Sequence, residues 1–228
     1  MNENRFSGIR ACVFDAYGTL FDVHSAVGRH RARLAGAADA VSALWRTKQL
    51  EYTWLRTLMG HYVDFWQITG DALDYALETH EIGDAGLRED LMAAYLTLDS
   101  YPEVPEVLAA LRGRGFKLAI LSNGSPRMLA AAVDSAGLGE LLDASLSVDS
   151  LRSYKPLPAV YQLACDRLGV TRAQISFQSS NAWDAAGAAA FGMNVAWINR
   201  FGQRAERLPG KPAAELHTLS ELPPLLDD

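Results

Sequence analysis

The chain has 228 residues, 49% of them hydrophobic, and a formal net charge of −6. That length and apolar content suit one core domain, with or without an inserted one, and the acidic balance excludes nucleic acid as an expected partner. The only two cysteines, Cys12 and Cys165, lie far apart in sequence and read as buried small hydrophobes, not as a disulfide framework or a metal site.

The chain opens on Met1-Asn2-Glu3-Asn4-Arg5, which carries no apolar leader, and no apolar run reaches membrane-spanning length. A cytoplasmic protein without membrane contact is the expectation. Ala11-Cys12-Val13-Phe14 is a short apolar run that meets Asp15 and then a Gly18-Thr19 turn, the pattern of a buried parallel strand. From Asp22 to about Ser100 the pattern is helical. Ala43 to Leu58 form a proline-free helix, Asp71-Ala72-Leu73-Asp74 reads as a helix start, and Leu87 to Leu98 form another helix.

Pro105 suits a first helical turn, with Val107, Leu108 and Leu111 as its apolar stripe. Lys117 to Leu121 then form a strand that stops at Ser122-Asn123-Gly124, and a helix runs from Met128 through Val133. A short strand over Ala144 to Val148 precedes Ser153-Tyr154-Lys155-Pro156, and Val160 to Leu168 are helical. Ile175-Ser176-Phe177 is a strand, with Gln178 as a polar departure at its end, and Asn194 to Ile198 are the last clear strand. Between them lies a small-residue helix, Ala185 to Ala190, for which Asp184 is an N-cap candidate. The tail after Phe201 is polar and broken by prolines. Alternation of strand and helix predicts an α/β fold, a Rossmann-like parallel sheet with helices on both faces and an inserted all-helical cap. The core is expected over residues 1–21 and 100–228 and the cap over 22–99.

Every polar cluster follows a strand: Asp15, then Ser122 and Asn123, then Lys155, then Ser179, Asn181 and Asp184. Strand ends of a parallel sheet share one edge, so these groups are expected to converge in one cleft. A carboxylate held there by a lysine is a candidate nucleophile.

Phe14-Asp15-Ala16-Tyr17-Gly18-Thr19-Leu20, Ser122-Asn123-Gly124, Ser153-Tyr154-Lys155-Pro156 and Ser179-Ser180-Asn181-Ala182-Trp183-Asp184 resemble, in order and spacing, the four motifs of the haloacid dehalogenase superfamily. Trp45-Arg46-Thr47-Lys48-Gln49-Leu50-Glu51-Tyr52 resembles its L-2-haloacid dehalogenase branch. The resemblance implies hydrolysis of L-2-haloalkanoates to D-2-hydroxyalkanoates and halide, through an ester on Asp15, with inversion at C2. It implies no cofactor and no metal, a small 2-haloacid as the ligand, and a homodimer.

In this reading Lys155 keeps Asp15 ionised, Thr19 supports it, and Asp184, oriented by Ser179 and Asn181, positions the hydrolytic water. Arg46 and Asn123 receive the halide and Ser122 the substrate carboxylate. Tyr17, Leu50, Phe65 and Trp183 line an apolar pocket, and Tyr161 supports the site from its helix. The alternative is a magnesium-dependent phosphatase of the same superfamily, but those enzymes carry a second aspartate where this chain has Tyr17. A halide leaves without a proton, so a site lacking that acid suits carbon–halogen cleavage. Several of these residues also have plainer readings: Arg46 as a surface partner of Glu51, Ser122 and Thr19 as helix caps, Tyr161 and Phe65 as core. The five histidines form no ligand spacing, and the aromatic residues Trp45, Tyr52, Trp54, Tyr62 and Trp66 read as cap core or as a dimer face.

Overall fold

The computed structural model describes residues 6–226; residues 1–5, read above for a leader, lie outside the described residues. The strands are β1 (Ala11–Phe14), β2 (Lys117–Ser122), β3 (Ala144–Ser147), β4 (Ile175–Ser179), β5 (Asn194–Ile198) and β6 (Ala214–Leu216). They form one sheet in the order β3-β2-β1-β4-β5-β6, and every neighbouring pair is parallel. β1 is central, with Phe14 opposite Ile120 on one side and Gln178 on the other. All four residues of β1 and all five of β4 are buried, so side chains pointing to either face of the sheet are covered.

The helices are α1 (Ser25–Arg29), α2 (Ala38–Met59), α3 (Phe65–Thr79), α4 (Ala85–Leu96), α5 (Val104–Gly113), α6 (Pro126–Ser135), α7 (Pro158–Leu168) and α8 (Ala182–Phe191). α1 to α4 fall between β1 and β2 and form the helical insertion; the others connect or lead into core strands. Among the described residues, no helix is long and apolar enough to cross a membrane.

Local chemistry places the ends of these helices. Asp64 accepts the backbone N–H of Gln67 at 2.8 Å and starts α3, well before the expected start at Asp71. Asp84 caps α4 in the same way through Leu87. Asp184 is not the cap of α8: Asn181 holds that position and Asp184 sits in the first turn. β4 continues through Gln178 to Ser179, and the buried Gln178 amide donates to Ser176 Oγ at 2.6 Å. The polar tail contains one more strand, β6, which is three residues long and pairs only with β5. Its shortness and its single neighbour leave little sequence signal.

Candidate active site

Asp15 is the first residue past β1, and its N–H continues the ladder by donating to Gln178 O at 2.8 Å. The chain then turns back: the N–H groups of Thr19, Leu20 and Phe21 all donate to Ala16 O. Gly18 has φ of 92°, a conformation open to glycine at no steric cost. This turn brings Thr19 Oγ1 to 3.2 Å from Asp15 Oδ2, while the same hydroxyl oxygen accepts Ser180 N–H at 2.8 Å. Asn181 Nδ2 donates to Asp15 Oδ2 at 2.8 Å, and Lys155 Nζ donates to Asp15 Oδ1 at 3.0 Å. Both oxygens of a nearly buried carboxylate are therefore partnered by a cation, an amide and a hydroxyl.

Lys155 joins two acids. Its ammonium also donates to Asp184 Oδ2 at 2.8 Å, and the lysine is 1% exposed. Burial pulls its pKa down, but Asp15 and Asp184 more than offset this and hold it above the ordinary lysine value. Asp184 is fully buried and moves the other way from a surface aspartate. Burial, with the charge of Asp15, raises its pKa against the opposing pull of Lys155 and the hydrogen bond from Tyr161. The Tyr161 hydroxyl donates to Asp184 Oδ1 at 2.8 Å.

From the opposite side comes the helical insertion. On α2, Arg46 donates through Nη2 to Asn181 Oδ1 at 3.1 Å and to Tyr17 O at 3.3 Å. Its Nη1 donates to Gln49 Oε1 at 2.7 Å. Gln49 is buried and fully engaged, since it also accepts from Tyr95 and donates to Thr69 Oγ1. Glu51, the plainer partner for Arg46, pairs with Lys48 instead. A small cavity lies between the two halves. Asp15, Arg46, Ser122, Asn123, Lys155 and Asn181 supply its polar lining, and Tyr17, Leu50, Phe65 and Trp183 its apolar lining.

The structure thus brings the sequence-derived site residues together, with two changes. The side chains of Ser179 and Asn181 do not bond the Asp184 carboxylate, although Asn181 O accepts the Asp184 N–H at 3.0 Å. Asn181 bonds Asp15, and Ser179 Oγ accepts the N–H of Asn181 at 3.1 Å; the donors to the Asp184 carboxylate are Lys155 and Tyr161. Tyr161 does not line the cavity but stands behind Asp184, fully buried.

Residues that the sequence reading passed over include Gln49, Tyr95 and Gly124. Tyr95 stacks on Tyr17 at 5.6 Å between ring centroids. A β-carbon on Gly124 would lie 2.7 Å from the Tyr17 ring, so only glycine leaves that ring its place. For Gln49 the signal was present: a polar residue three positions after Arg46 on the same helix, within side-chain reach of it. Of the aromatic cluster, Trp45 is buried and Tyr52, Trp54, Tyr62 and Trp66 are part-buried. Trp45 bonds Thr69 O at 2.8 Å, and Trp54 meets Trp183 edge to face at 5.2 Å. Tyr62 reaches the core by donating to Asp149 Oδ1 at 2.5 Å.

The haloacid dehalogenase-like hydrolase family matches residues 9–192. The chain is similar to (S)-2-haloacid dehalogenase 4A of Burkholderia cepacia, 51% identical over 219 residues, which cover 96% of this chain and 95% of the relative. Among solved structures, it superposes on a dehalogenase with an intermediate complex at a TM-score of 0.95 and 50% identity, covering 97% and 98% of the two chains. It also matches the L-2-haloacid dehalogenase of Xanthobacter autotrophicus with chloropropionic acid covalently bound, at a TM-score of 0.89 and 41% identity, covering 95% and 98%. With the family matching residues 9–192 and a relative 51% identical over 96% of the chain, the chain belongs to the haloacid dehalogenase-like hydrolase family.

Proposed function

We propose that this chain hydrolyses L-2-haloalkanoates to D-2-hydroxyalkanoates and halide, through an ester on Asp15. The observation that carries the reading is the pairing of a lysine-bridged carboxylate dyad with a tyrosine two residues beyond Asp15. The dyad supplies a nucleophile and a base, and position 17 supplies no acid for an alkoxide leaving group. A covalently bound chloropropionic acid in the Xanthobacter autotrophicus relative supports an ester route here.

In the first step an Asp15 oxygen attacks C2 from the face opposite the halogen, the carbon–halogen bond breaks, and halide leaves with its electron pair. Lys155 Nζ, 3.0 Å from Asp15 Oδ1, supplies the positive charge beside the attacking carboxylate. Arg46 and the Asn123 amide nitrogen receive the halide. Asn123 Oδ1 is engaged by Lys155 N–H at 3.1 Å, which turns its donor end to this task. Ser122 Oγ accepts Gly124 N–H at 3.1 Å, so its own proton is available to the substrate carboxylate. Tyr17, Leu50, Phe65 and Trp183 exclude water during the displacement.

In the second step water attacks the carboxyl carbon of the Asp15 ester and gives one proton to Asp184. The tetrahedral intermediate then breaks its bond to the product oxygen, which takes the remaining proton of that water, so the 2-hydroxy acid departs and Asp15 is left as a carboxylate. No cofactor takes part in this scheme. The core is assigned to residues 1–21 and 100–228 and the cap to 22–99, with the site between them.

A homodimer is part of the same proposal. Leu55, Leu58 and Met59 are 50%, 84% and 67% exposed at helical spacing on α2, with exposed Tyr75 on neighbouring α3. Apolar side chains grouped this way favour burial against a second copy. The test of the activity is halide release from separate L- and D-2-chloropropionate with EDTA present. Release from the L form alone is expected; magnesium-dependent cleavage of p-nitrophenyl phosphate without halide release would overturn the reading.

A further inference from the structure

α8 runs Ala182-Trp183-Asp184-Ala185-Ala186-Gly187-Ala188-Ala189-Ala190-Phe191, a helix of small residues with a single interior glycine. Glycine in a helix interior destabilises by roughly 0.5–1 kcal/mol relative to alanine, so its presence among alanines calls for a spatial reason. A β-carbon at position 187 would lie 2.6 Å from the Tyr161 hydroxyl oxygen and 2.8 Å from Pro156 Cβ. Neither neighbour can retreat easily. Tyr161 is fully buried, edge to face on Phe177 at 5.8 Å and tilted on Phe191 at 5.9 Å, and Pro156 follows Lys155 directly.

Gly187 is also three residues beyond Asp184, on the same face of the helix. The two groups that a side chain at 187 would push away are therefore tied to the two donors of Asp184. Those donors are the Tyr161 hydroxyl at 2.8 Å and the Lys155 ammonium at 2.8 Å.

We propose that Gly187 is a positioning residue: its missing side chain lets α8 settle against Tyr161 and the Lys155-Pro156 turn, and so sets both hydrogen bonds that hold Asp184. It touches no substrate. The role given to it in ester hydrolysis rests on the reading of function above, whereas the packing relation stands on the contacts alone.

Gly187→Ala tests both parts. Its turnover of L-2-chloropropionate is expected to fall by roughly tenfold to a hundredfold, as misplacement of a reacting group does, with KM little changed. The fall should lie in the second step. Asp184, deprived of donors, keeps its proton to higher pH, so the acid limb of the kcat profile moves up. The ester on Asp15 also accumulates and is read by mass spectrometry of quenched enzyme. Ala190→Gly, an exposed helix position, controls for loss of helix stability and should leave the acid limb in place.

A thermal-denaturation cycle reads the seat without turnover. Gly187→Ala should lower Tm in the parent chain and by distinctly less in Tyr161→Phe, which lacks the nearest colliding atom. If Gly187→Ala is recovered too poorly to assay, Tyr161→Phe and Tyr161→Phe/Gly187→Ala carry the comparison and should have similar acid limbs. A Gly187→Ala enzyme with the parent's kcat and acid limb overturns the role in catalysis, and equal Tm losses in both backgrounds overturn the seat. A parent chain that releases no halide overturns the reading of function and leaves the Tm cycle to decide the seat.

Discussion

At the scale of single residues, the site is a buried charge cluster: two carboxylates, Asp15 and Asp184, share one ammonium. Removing one member of such a cluster leaves a buried charge unpaired, which costs about 3–5 kcal/mol. Lys155→Met should therefore abolish turnover and destabilise the chain by about that much at neutral pH. The sign with pH follows from Asp184, whose pKa is already raised by burial and rises further without its lysine. Stability conferred by an acid with a raised folded-state pKa is lost as pH rises through that pKa. Urea denaturation should thus find the variant closer to the parent at mildly acidic pH than at pH ~8, and a gap that does not close on acidification would contradict the assignment. The same raised pKa places the acid limb of ester hydrolysis above the ordinary aspartate value of ~3.9. A single-turnover pH profile checks this. For Asp15 the expected outcome is simpler. Asp15→Asn loses turnover, and in ¹⁸O-water the label enters the Asp15 carboxyl group of the parent enzyme before it reaches product.

At the scale of elements, the strand ends bring up Asp15 and Lys155, the start of α8 brings up Asp184, and α2 brings up Arg46. Arg46 is held by its own helix through Gln49, which is in turn fixed by Thr69 on α3 and Tyr95 on α4. Three helices of the insertion therefore set the direction of one guanidinium. Gln49→Leu should lower turnover about tenfold, the weight of one charge-assisted hydrogen bond of ~1.5 kcal/mol. The loss should be larger for chloride than for bromide release, because the poorer leaving group depends more on stabilisation as its charge develops. Equal losses for the two substrates would assign Gln49 to folding alone.

A second tie joins elements on the core side. Arg200, just past β5, donates to Thr19 O at 2.9 Å and to Glu103 Oε1 at 2.6 Å, and its guanidinium lies 3.8 Å from the Tyr101 ring centroid. It links the turn after Asp15 to the segment where the chain returns from the helical insertion. Glu103, half-screened from water, is held below the ordinary glutamate pKa. Burial opposes that shift, and its own backbone N–H and Arg200 outweigh the burial.

At the scale of the whole molecule, the insertion covers the strand ends and closes the cavity between two halves. Beyond the two crossings, the halves meet where Tyr62 donates to Asp149 and where Tyr154 donates to Val63 O at 2.6 Å. The exposed apolar face of α2 is the feature at this scale without a partner among the described residues. Leu58→Asp should convert a two-copy particle into a one-copy particle in sedimentation velocity, and a parent chain sedimenting as one copy would remove the dimer from the proposal. The activity of the one-copy form measures whether the dimer matters to the site.

The sequence by itself determined five of the six strands, the place of the insertion and the polar residues at the strand ends, because each of these is local. A strand announces itself by an apolar run, its end by a polar residue and a turn, and a parallel sheet gathers those ends on one edge. Asp15, Ser122, Asn123, Lys155 and Asn181 were legible for that reason, and Tyr17 stood out against the phosphatase pattern. The tertiary structure alone decided who touches whom. Ser179 and Asn181 are close to Asp184 in sequence, yet the donors to its carboxylate are Lys155 and Tyr161, which approach from other elements. Gly124 and Gly187 carry no side chain to be noticed, and their importance is the space they leave for Tyr17 and Tyr161. β6 escaped notice because three residues carry too little pattern, and Asp64 displaced Asp71 as a helix start because a cap is one hydrogen bond, formed or not. Chemistry-bearing residue types are written along the chain, whereas distances and excluded volumes exist only once the chain has folded.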